Sequence, residues 1–420
     1  MRPSVASSTS PPRVDASTPR PARPMFLRQV SGPRPLDIRH VAVFDGTGHP
    51  SEANGVHNVA RALTREQRAA GDQARLVLLA RGNTPSIADR SCPTQVIRLK
   101  GPDLRGHTLR MSSGNVEELL VGVRDNTFFH IHGGREPMLP GLAWRLRRRG
   151  IPYALTVHGR FSHVYDPDGR TVKRNTALYL RLFERSLLEG ARFVQALSDE
   201  EAVIFRRIAP RARIEIIGNG AYSSSHDATP PRPMPRGVSA DYPHFGYCGR
   251  YAIEHKGLDL LLEGFSSYCK NGGTGRLTMI GSGSARTDLV QMAERMGIAQ
   301  RVQILGPSFG AERDALLREC DYFVVASRFE GVPLAALEAA LLGLPLIVTA
   351  GSGLRTLVTA EKAGLPIGDH SACAVAAALH NAEKLSPDEW QASASAAHAA
   401  AMLRCDWAGI ASQLRAAYLG

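Results

Sequence analysis

From Ile38 onward, short runs rich in β-branched and aromatic residues alternate with longer runs whose apolar residues recur at helical spacing. "HVAVFDG", "ARLVLLARG", "TFFHIHGG", "PYALTVHG", "ARFVQALS" and "ARIEIIGNG" read as strands, with helices predicted over about Val56–Ala69, Leu139–Arg149 and near Thr176–Leu188. The alternation restarts at "HFGYCGR" and runs through "RLTMIGSG", "RVQILGP", "DYFVVAS" and "LPLIVTA", with helices predicted over 257–270, 286–297, 311–319 and 333–342. Strands spaced by helices make βαβ units, and these build parallel sheets. The chain is therefore predicted to be α/β, with two doubly wound, Rossmann-like domains at 38–222 and 241–405. Residues 223–240, "SSSHDATPPRPMPRGVSA", have the composition of a linker between them. Ligands of such sheets sit beyond the carboxyl ends of the strands, and two facing domains enclose a cleft.

One stretch breaks its own pattern. In "FEGVPLAALEAALLGLPLIV", residues 329–348, Pro333 suits the first position of a helix and Gly343 its stop. Between them the helix is apolar on every side, as a buried helix is, except for Glu338. Glu330 lies in the turn before it. A carboxylate removed from water is costly unless something pairs with it. Glu338 either reaches solvent from a helix end, or both carboxylates face a polar ligand.

Other candidates cluster at predicted strand ends. "YCGRYAIEHKGLDLLLEGF" places Gly249 and Arg250 just after a strand and Lys256 just before a helix. Two cations beside a helix N-terminus suit a diphosphate, because backbone N–H groups and the helix dipole favour an anion there; a lysine before a helix is also common on surfaces. Asn54 and Gly55, before the first helix, offer a second such start. His132 and His158 each follow a strand; either is a structural histidine or, facing one cleft, both serve function. "MIGSGS" is a strand followed by a GxG turn, which its glycines can require for conformation alone. "DPDG" at 166–169 matches a metal-binding DxD pattern but is first of all a turn sequence.

Composition narrows the classes. With 43% hydrophobic and 21% charged residues among 420, the chain has ordinary globular character and enough length for two or three domains. The net charge of +12 is uneven: residues 1–35 hold six Arg against one Asp, with eight Pro, and the segment 1–37 is expected to be a disordered basic tail. No basic helix with interleaved aromatics is present, so nucleic acid is not an expected partner. "WRLRRRG" at 144–150 suits either anionic lipid or phosphate, or a solvated helix end. Six scattered cysteines without CxxC spacing argue against a disulfide framework or zinc site. The N-terminus lacks a signal-peptide core, and the longest apolar run is broken by Glu338 and Gly-Leu-Pro, so a cytoplasmic location is expected.

Together these residues resemble the GT-B glycosyltransferases, specifically the large retaining group called family 4. Glu330 and Glu338 match its E-x7-E motif, "GRYAIEHKGLDLLLEGF" its G-R…K-G element, and "TVHG", "QALSDEE" and "GNG" its first-domain landmarks. "CDWAGIASQLRAAYLG" is similar to the helix, here 406–420, that crosses back to the first domain. The resemblance implies transfer of a hexose from a nucleotide-sugar donor, UDP- or GDP-linked, to a hydroxyl of a saccharide or lipid-linked acceptor. Exopolysaccharide, lipopolysaccharide or glycolipid assembly and a peripheral contact with the inner face of the membrane would follow. It also assigns roles. Glu338 would bind the nucleotide ribose, Glu330 the donor sugar, Arg250 and Lys256 the diphosphate, and His158 would lie near the reacting centre. The amides of Gly331, Val332, Asn54 and Gly55 would add hydrogen bonds. The buried carboxylate would then be paired by ligand and not by a protein cation, and neither metal nor cofactor is expected. The loop "GSGLRTLV" departs from the family, which often has Pro-Glu there. A phosphorylase, a Rossmann oxidoreductase and an inactive sugar-nucleotide-binding scaffold are the rival classes. The scaffold would be expected to lack one of the four charged residues, and all four are present.

Overall fold

The structure, a computed structural model, describes residues 34–420 except 45–54, 82–89, 101–102, 105–106, 109, 163, 165–173 and 222–241. The expected basic tail, the linker, "DPDG" and Asn54 lie wholly or almost wholly outside the described residues.

The first sheet has seven strands: β1 (Asp37–Phe44), β2 (Gln73–Ala80), β3 (Thr94–Arg98), β6 (Thr127–His132), β7 (Tyr153–Thr156), β8 (Phe193–Ala196) and β9 (Ile214–Ile216). Two short antiparallel strands, β4 (Asp103–Leu104) and β5 (His107–Thr108), stand apart from it. The second sheet has six: β10 (His244–Cys248), β11 (Arg276–Ile280), β12 (Val302–Leu305), β13 (Tyr322–Val325), β14 (Leu346–Thr349) and β15 (Gly364–Ile367). Their spatial orders are β3-β2-β1-β6-β7-β8-β9 and β12-β11-β10-β13-β14-β15, and every pairing within them is parallel. Each order reverses direction once, between β1 and β6 and between β10 and β13. Those two switch points are where loops diverge and leave a crevice for a ligand.

Near-continuous apolar runs such as Leu76–Ala80 and Tyr322–Val325 are fully buried, as strands covered by helices on both faces must be. Helices differ from expectation mainly at their ends. Pro333 caps its helix from an extended conformation and the helix runs Leu334–Leu341, one residue inside the predicted span at each end. The predicted 257–270 helix is preceded by a separate turn, Ile253–Lys256, because Gly257 between them is left-handed at φ 59°. A side chain at Gly257 would also overlap the Ala326 carbonyl, so the close approach of this turn to β13 requires glycine.

The last helix, Trp407–Leu419, packs on the first sheet, not the second. Its Trp407, Ile410, Leu414 and Tyr418 share an apolar cluster with Ile38, Leu63 and other residues of β1, the first helix and neighbouring strands. Asp406 caps it, accepting from the N–H groups of Ala408 and Gly409. No helix among the described residues is long and apolar enough to cross a membrane.

Candidate functional site

The loops after β10 and β13 flank the switch point of the second sheet, and they carry most of the predicted site. After β10, Tyr247 donates its hydroxyl hydrogen bond to the Arg250 carbonyl (2.9 Å), which sets the path of the loop. The Arg250 side chain itself is exposed and makes no ion pair among the described residues. The turn Ile253–Lys256 then brings Lys256 over the β13 loop, where its ammonium pairs with Glu330. The Ser327 hydroxyl donates to the other Glu330 oxygen (2.9 Å). Burial alone would raise the Glu330 carboxyl, but the Lys256 charge and these hydrogen bonds outweigh it and hold the group below its usual range.

Glu338 has a partner as well. Arg313, from the helix Gly310–Arg318, donates to Glu338 (2.6 Å) and forks onto the fully buried Asp314 (2.6 and 3.0 Å). Burial raises the Glu338 carboxyl further than Arg313 lowers it. The expectation that the buried carboxylate is paired by ligand alone is thus corrected: Lys256 and Arg313 are protein cations paired to Glu330 and Glu338. The physical reason is the one that raised the question. An unpaired carboxylate at this depth would cost several kcal/mol.

The loop "GSGLRTLV" supports this arrangement from below. The Gly351 carbonyl accepts from the Glu330 N–H (2.7 Å), and Gly353 lies against the Gly331 carbonyl. Gly331 and Val332 therefore form a turn that is held on one side by this loop. On its other side is the first sheet. A side chain at Gly159, where φ is +72°, would overlap the Gly331 amide nitrogen, so the two domains meet here backbone to backbone. His158, also left-handed at φ 55°, is brought to the same place. Glu201 fixes this crossing by accepting from the N–H groups of Gly159 and Leu197 (2.8 Å each). Burial raises the Glu201 carboxyl to about 7 despite those two bonds.

The structure therefore brings together Lys256, Glu330, Gly331, Val332 and His158 around one crossing point, with Glu338 one helical segment further on, while Arg250 lies exposed in the loop after β10. Gly249 lies in the turn after β10. Gly55 begins the first helix, Gly55–Ala69, and is exposed. His132 is close behind His158, with 2.9 Å between Nδ1 of His132 and Nε2 of His158. Arg313, Ser327 and Glu201 were not among the sequence candidates. Glu201 stands three residues after the helix-capping Ser198, a spacing that signals a capping box, yet it turns away to the Gly159 loop.

His40, His130 and His132 are the one group of ionisable side chains, among the described residues, close enough together to hold a metal ion. Each ring nitrogen of the three already has a protein partner between 2.6 and 2.9 Å, which leaves no set of lone pairs aimed at a common centre.

The chain is similar to known proteins in sequence and in fold. Residues 242–383 match the family described as Glycosyl transferases group 1, and residues 54–220 the Glycosyl transferase 4-like domain. A D-inositol 3-phosphate glycosyltransferase of Salinispora tropica is 39% identical over 100 residues, covering 24% of this chain and 21% of its own. The 2-deoxystreptamine N-acetyl-D-glucosaminyltransferase of Streptomyces fradiae is 28% identical over 245 residues, or 56% and 58% of the two chains. The matched region thus spans between about one fifth and three fifths of these relatives. Among solved structures, Anabaena HepE in complex with UDP and glucose superposes with a TM-score of 0.68 at 17% identity, covering 92% of this chain and all of that one. The last likeness establishes the shared fold.

Proposed function

The chain belongs to the group 1, family 4 glycosyl transferases of the GT-B fold, and on that premise we propose that it moves a hexose from a nucleoside-diphosphate sugar to an acceptor hydroxyl with retention of configuration. The single observation that carries this reading is the pairing of Lys256 with Glu330 at one strand switch point, where the Gly331 turn meets the backbone after His158. The diphosphate would lie against Arg250 and Lys256. The nucleotide ribose would hydrogen-bond Glu338, and the donor sugar would take Glu330 and the amides of Gly331 and Val332. As the bond from the anomeric carbon to the phosphate oxygen breaks, the two cations neutralise the growing charge. The acceptor oxygen bonds to that carbon from the same face, and its proton passes to the departing diphosphate. In the HepE complex the bound nucleotide is UDP, in keeping with a nucleotide-sugar donor, and both uridine and guanosine donors belong in the test.

On the acceptor side, loops after β2 and β7 bring Arg81 and Arg160 to Glu136, 2.8 Å and 3.4 Å from its carboxylate. The first domain also exposes Trp144, Leu178, Leu182 and Phe183 beside arginines, with the Arg148 guanidinium 5.0 Å from the Trp144 ring. Apolar side chains fringed by cations suit an anionic membrane surface. We expect co-sedimentation with phosphatidylglycerol vesicles and none with phosphatidylcholine vesicles. Equal recovery with both, or with neither, would remove the membrane contact from this reading.

Donor binding is tested by thermal stabilisation with a panel of nucleotide sugars, followed by titration calorimetry of two variants. Glu338→Ala is expected to weaken free UDP as well as the full donor, whereas Glu330→Ala should leave UDP affinity within about twofold while abolishing most transfer. Equal loss of UDP affinity in both variants would sink the division of roles between the two glutamates.

A further inference from the structure

A continuous line of buried side chains runs from His158 away from the cleft. His158 Nε2 lies 2.9 Å from His132 Nδ1, and His132 Nε2 lies 2.8 Å from His40 Nδ1. His40 Nε2 lies 2.7 Å from Gln67 Oε1. The amide nitrogen of Gln67 donates to the Tyr418 hydroxyl (3.4 Å), and that hydroxyl lies 2.6 Å from His130 Nδ1. His130 Nε2 meets the Thr156 hydroxyl at 2.7 Å, which donates to Gln195 Oε1 at 2.6 Å. The Gln195 amide nitrogen ends the line on the Ile217 carbonyl (2.8 Å). Every member from His132 to Gln195 is buried.

The far end has only one possible polarity. A backbone carbonyl can only accept, so Gln195 must present its nitrogen to Ile217 and its oxygen to Thr156. Thr156 then accepts from His130 Nε2–H, which leaves His130 Nδ1 to accept from Tyr418. The Tyr418 oxygen accepts from the Gln67 nitrogen, so the Gln67 oxygen faces His40. From there each imidazole, being neutral, donates through Nε2 and accepts through Nδ1. The last in line, His158, must carry its proton on Nε2. Its Nδ1, which has no protein partner among the described residues, is left as an acceptor.

We propose that this chain, anchored on the Ile217 carbonyl and passing through Tyr418 of the last helix, sets the tautomer of His158, so that seating of the last helix is a condition for the site's hydrogen-bonding polarity. His132, His40, Gln67 and Tyr418 are on this view positioning residues. His158 can accept a hydrogen bond from a sugar hydroxyl through Nδ1 but cannot donate one there. The role of that acceptor in turnover rests on the placement of His158 at the donor sugar proposed above; the chain itself does not.

The test uses the full chain labelled with ¹⁵N-histidine, in which ring-nitrogen shifts report which nitrogen of His158 is protonated. Tyr418→Phe and Thr156→Val each delete one hydroxyl with little change of shape, and Thr156→Ser keeps the hydroxyl while losing a methyl. We expect the wild type and Thr156→Ser to show the Nε2–H form, and Tyr418→Phe and Thr156→Val to show a mixture of tautomers. Their kcat is expected to fall about tenfold or more, the scale on which a misplaced group is felt, with the donor KM nearly unchanged. A role in packing alone predicts the reverse order, with Thr156→Val tolerated better than Thr156→Ser. If His158 keeps a single Nε2–H tautomer in both hydroxyl deletions, the proposal is overturned. Mixed tautomers with unchanged kcat uphold the chain and count instead against the place given to His158 in the reaction.

Discussion

Replacing Lys256 with alanine is expected to lower kcat at saturating donor by on the order of 10²-fold or more, the usual loss when a preorganised charge-stabilising group is removed. The ammonium is held where the diphosphate would lie, by the left-handed Gly257 behind it and the Glu330 carboxylate before it. It needs no rearrangement from solvent to meet charge that grows as the sugar leaves, so its effect is larger in the transition state than in the ground state. Arg250→Ala should behave alike, and Arg250→Lys should recover only part, since a point charge does not reproduce the guanidinium fork. Lys256→Ala also strands Glu330, whose side chain is only 15% exposed, and an uncompensated carboxylate there destabilises the fold. The double variant Lys256→Ala/Glu330→Gln separates the two effects: it should restore most of the lost Tm and none of the lost kcat. If kcat of Lys256→Ala at saturation equals wild type and only KM rises, the lysine merely holds the donor and does not stabilise the leaving group.

Much of this site could be read from residue types and spacing because strands buried on both faces advertise themselves. The eleven strands read as apolar runs are all present. Besides the short β4 and β5, two more strands of the main sheets were not legible: β3, "TQVIR", is half polar at one edge of its sheet, and β15, "GLPI", is short and carries a proline at the edge of the other. Both are edge strands, yet the opposite edges, β9 and β12, were read; what hid β3 and β15 is their polar or proline-interrupted sequence. The Glu330 and Lys256 pair was legible only as two residues of one site, since the contact spans 74 positions and depends on the left-handed turn at Gly257. Arg313 gave no sign of itself, for "AERDALLREC" reads like any solvated helix until its fold brings it 2.6 Å from Glu338. The histidine chain was half legible. His130 and His132 alternate along one strand and so share a face, but the pairing of His40 opposite His130 is a matter of register between β1 and β6.

That same chain is expected to make the protein acid-labile. Burial pushes His40 down to about 4 and His158 to about 3, and it holds His130 and His132 well below the ordinary imidazole value, with neighbouring imidazoles adding to the effect. Unfolded, all four would titrate near 6.5, so between that pH and about 4 the unfolded chain binds protons that the folded one refuses. Their contribution to stability is fully present above 6.5 and is lost as pH falls through this window. Glu184 and Glu201 act in the opposite direction: burial raises both to about 7, so their share is present below 4.5 and lost as pH rises through 7. With His255 and His370 also lowered and Glu338 also raised, six imidazoles against three carboxyls leave a net uptake of protons on unfolding between pH 4.5 and 6.5. Urea unfolding at pH 4.5, 5.5, 6.5 and 7.5 is therefore expected to give stabilities that fall steeply below 6.5. Replacing His130 with glutamine removes one of the four groups and should lower the slope by about one proton, or about 1.4 kcal/mol per unit. A stability that is flat or rises toward acid would mean that the buried imidazoles take up protons inside the fold. The directional chain ending at His158, which requires every ring in it to be neutral, would then not hold.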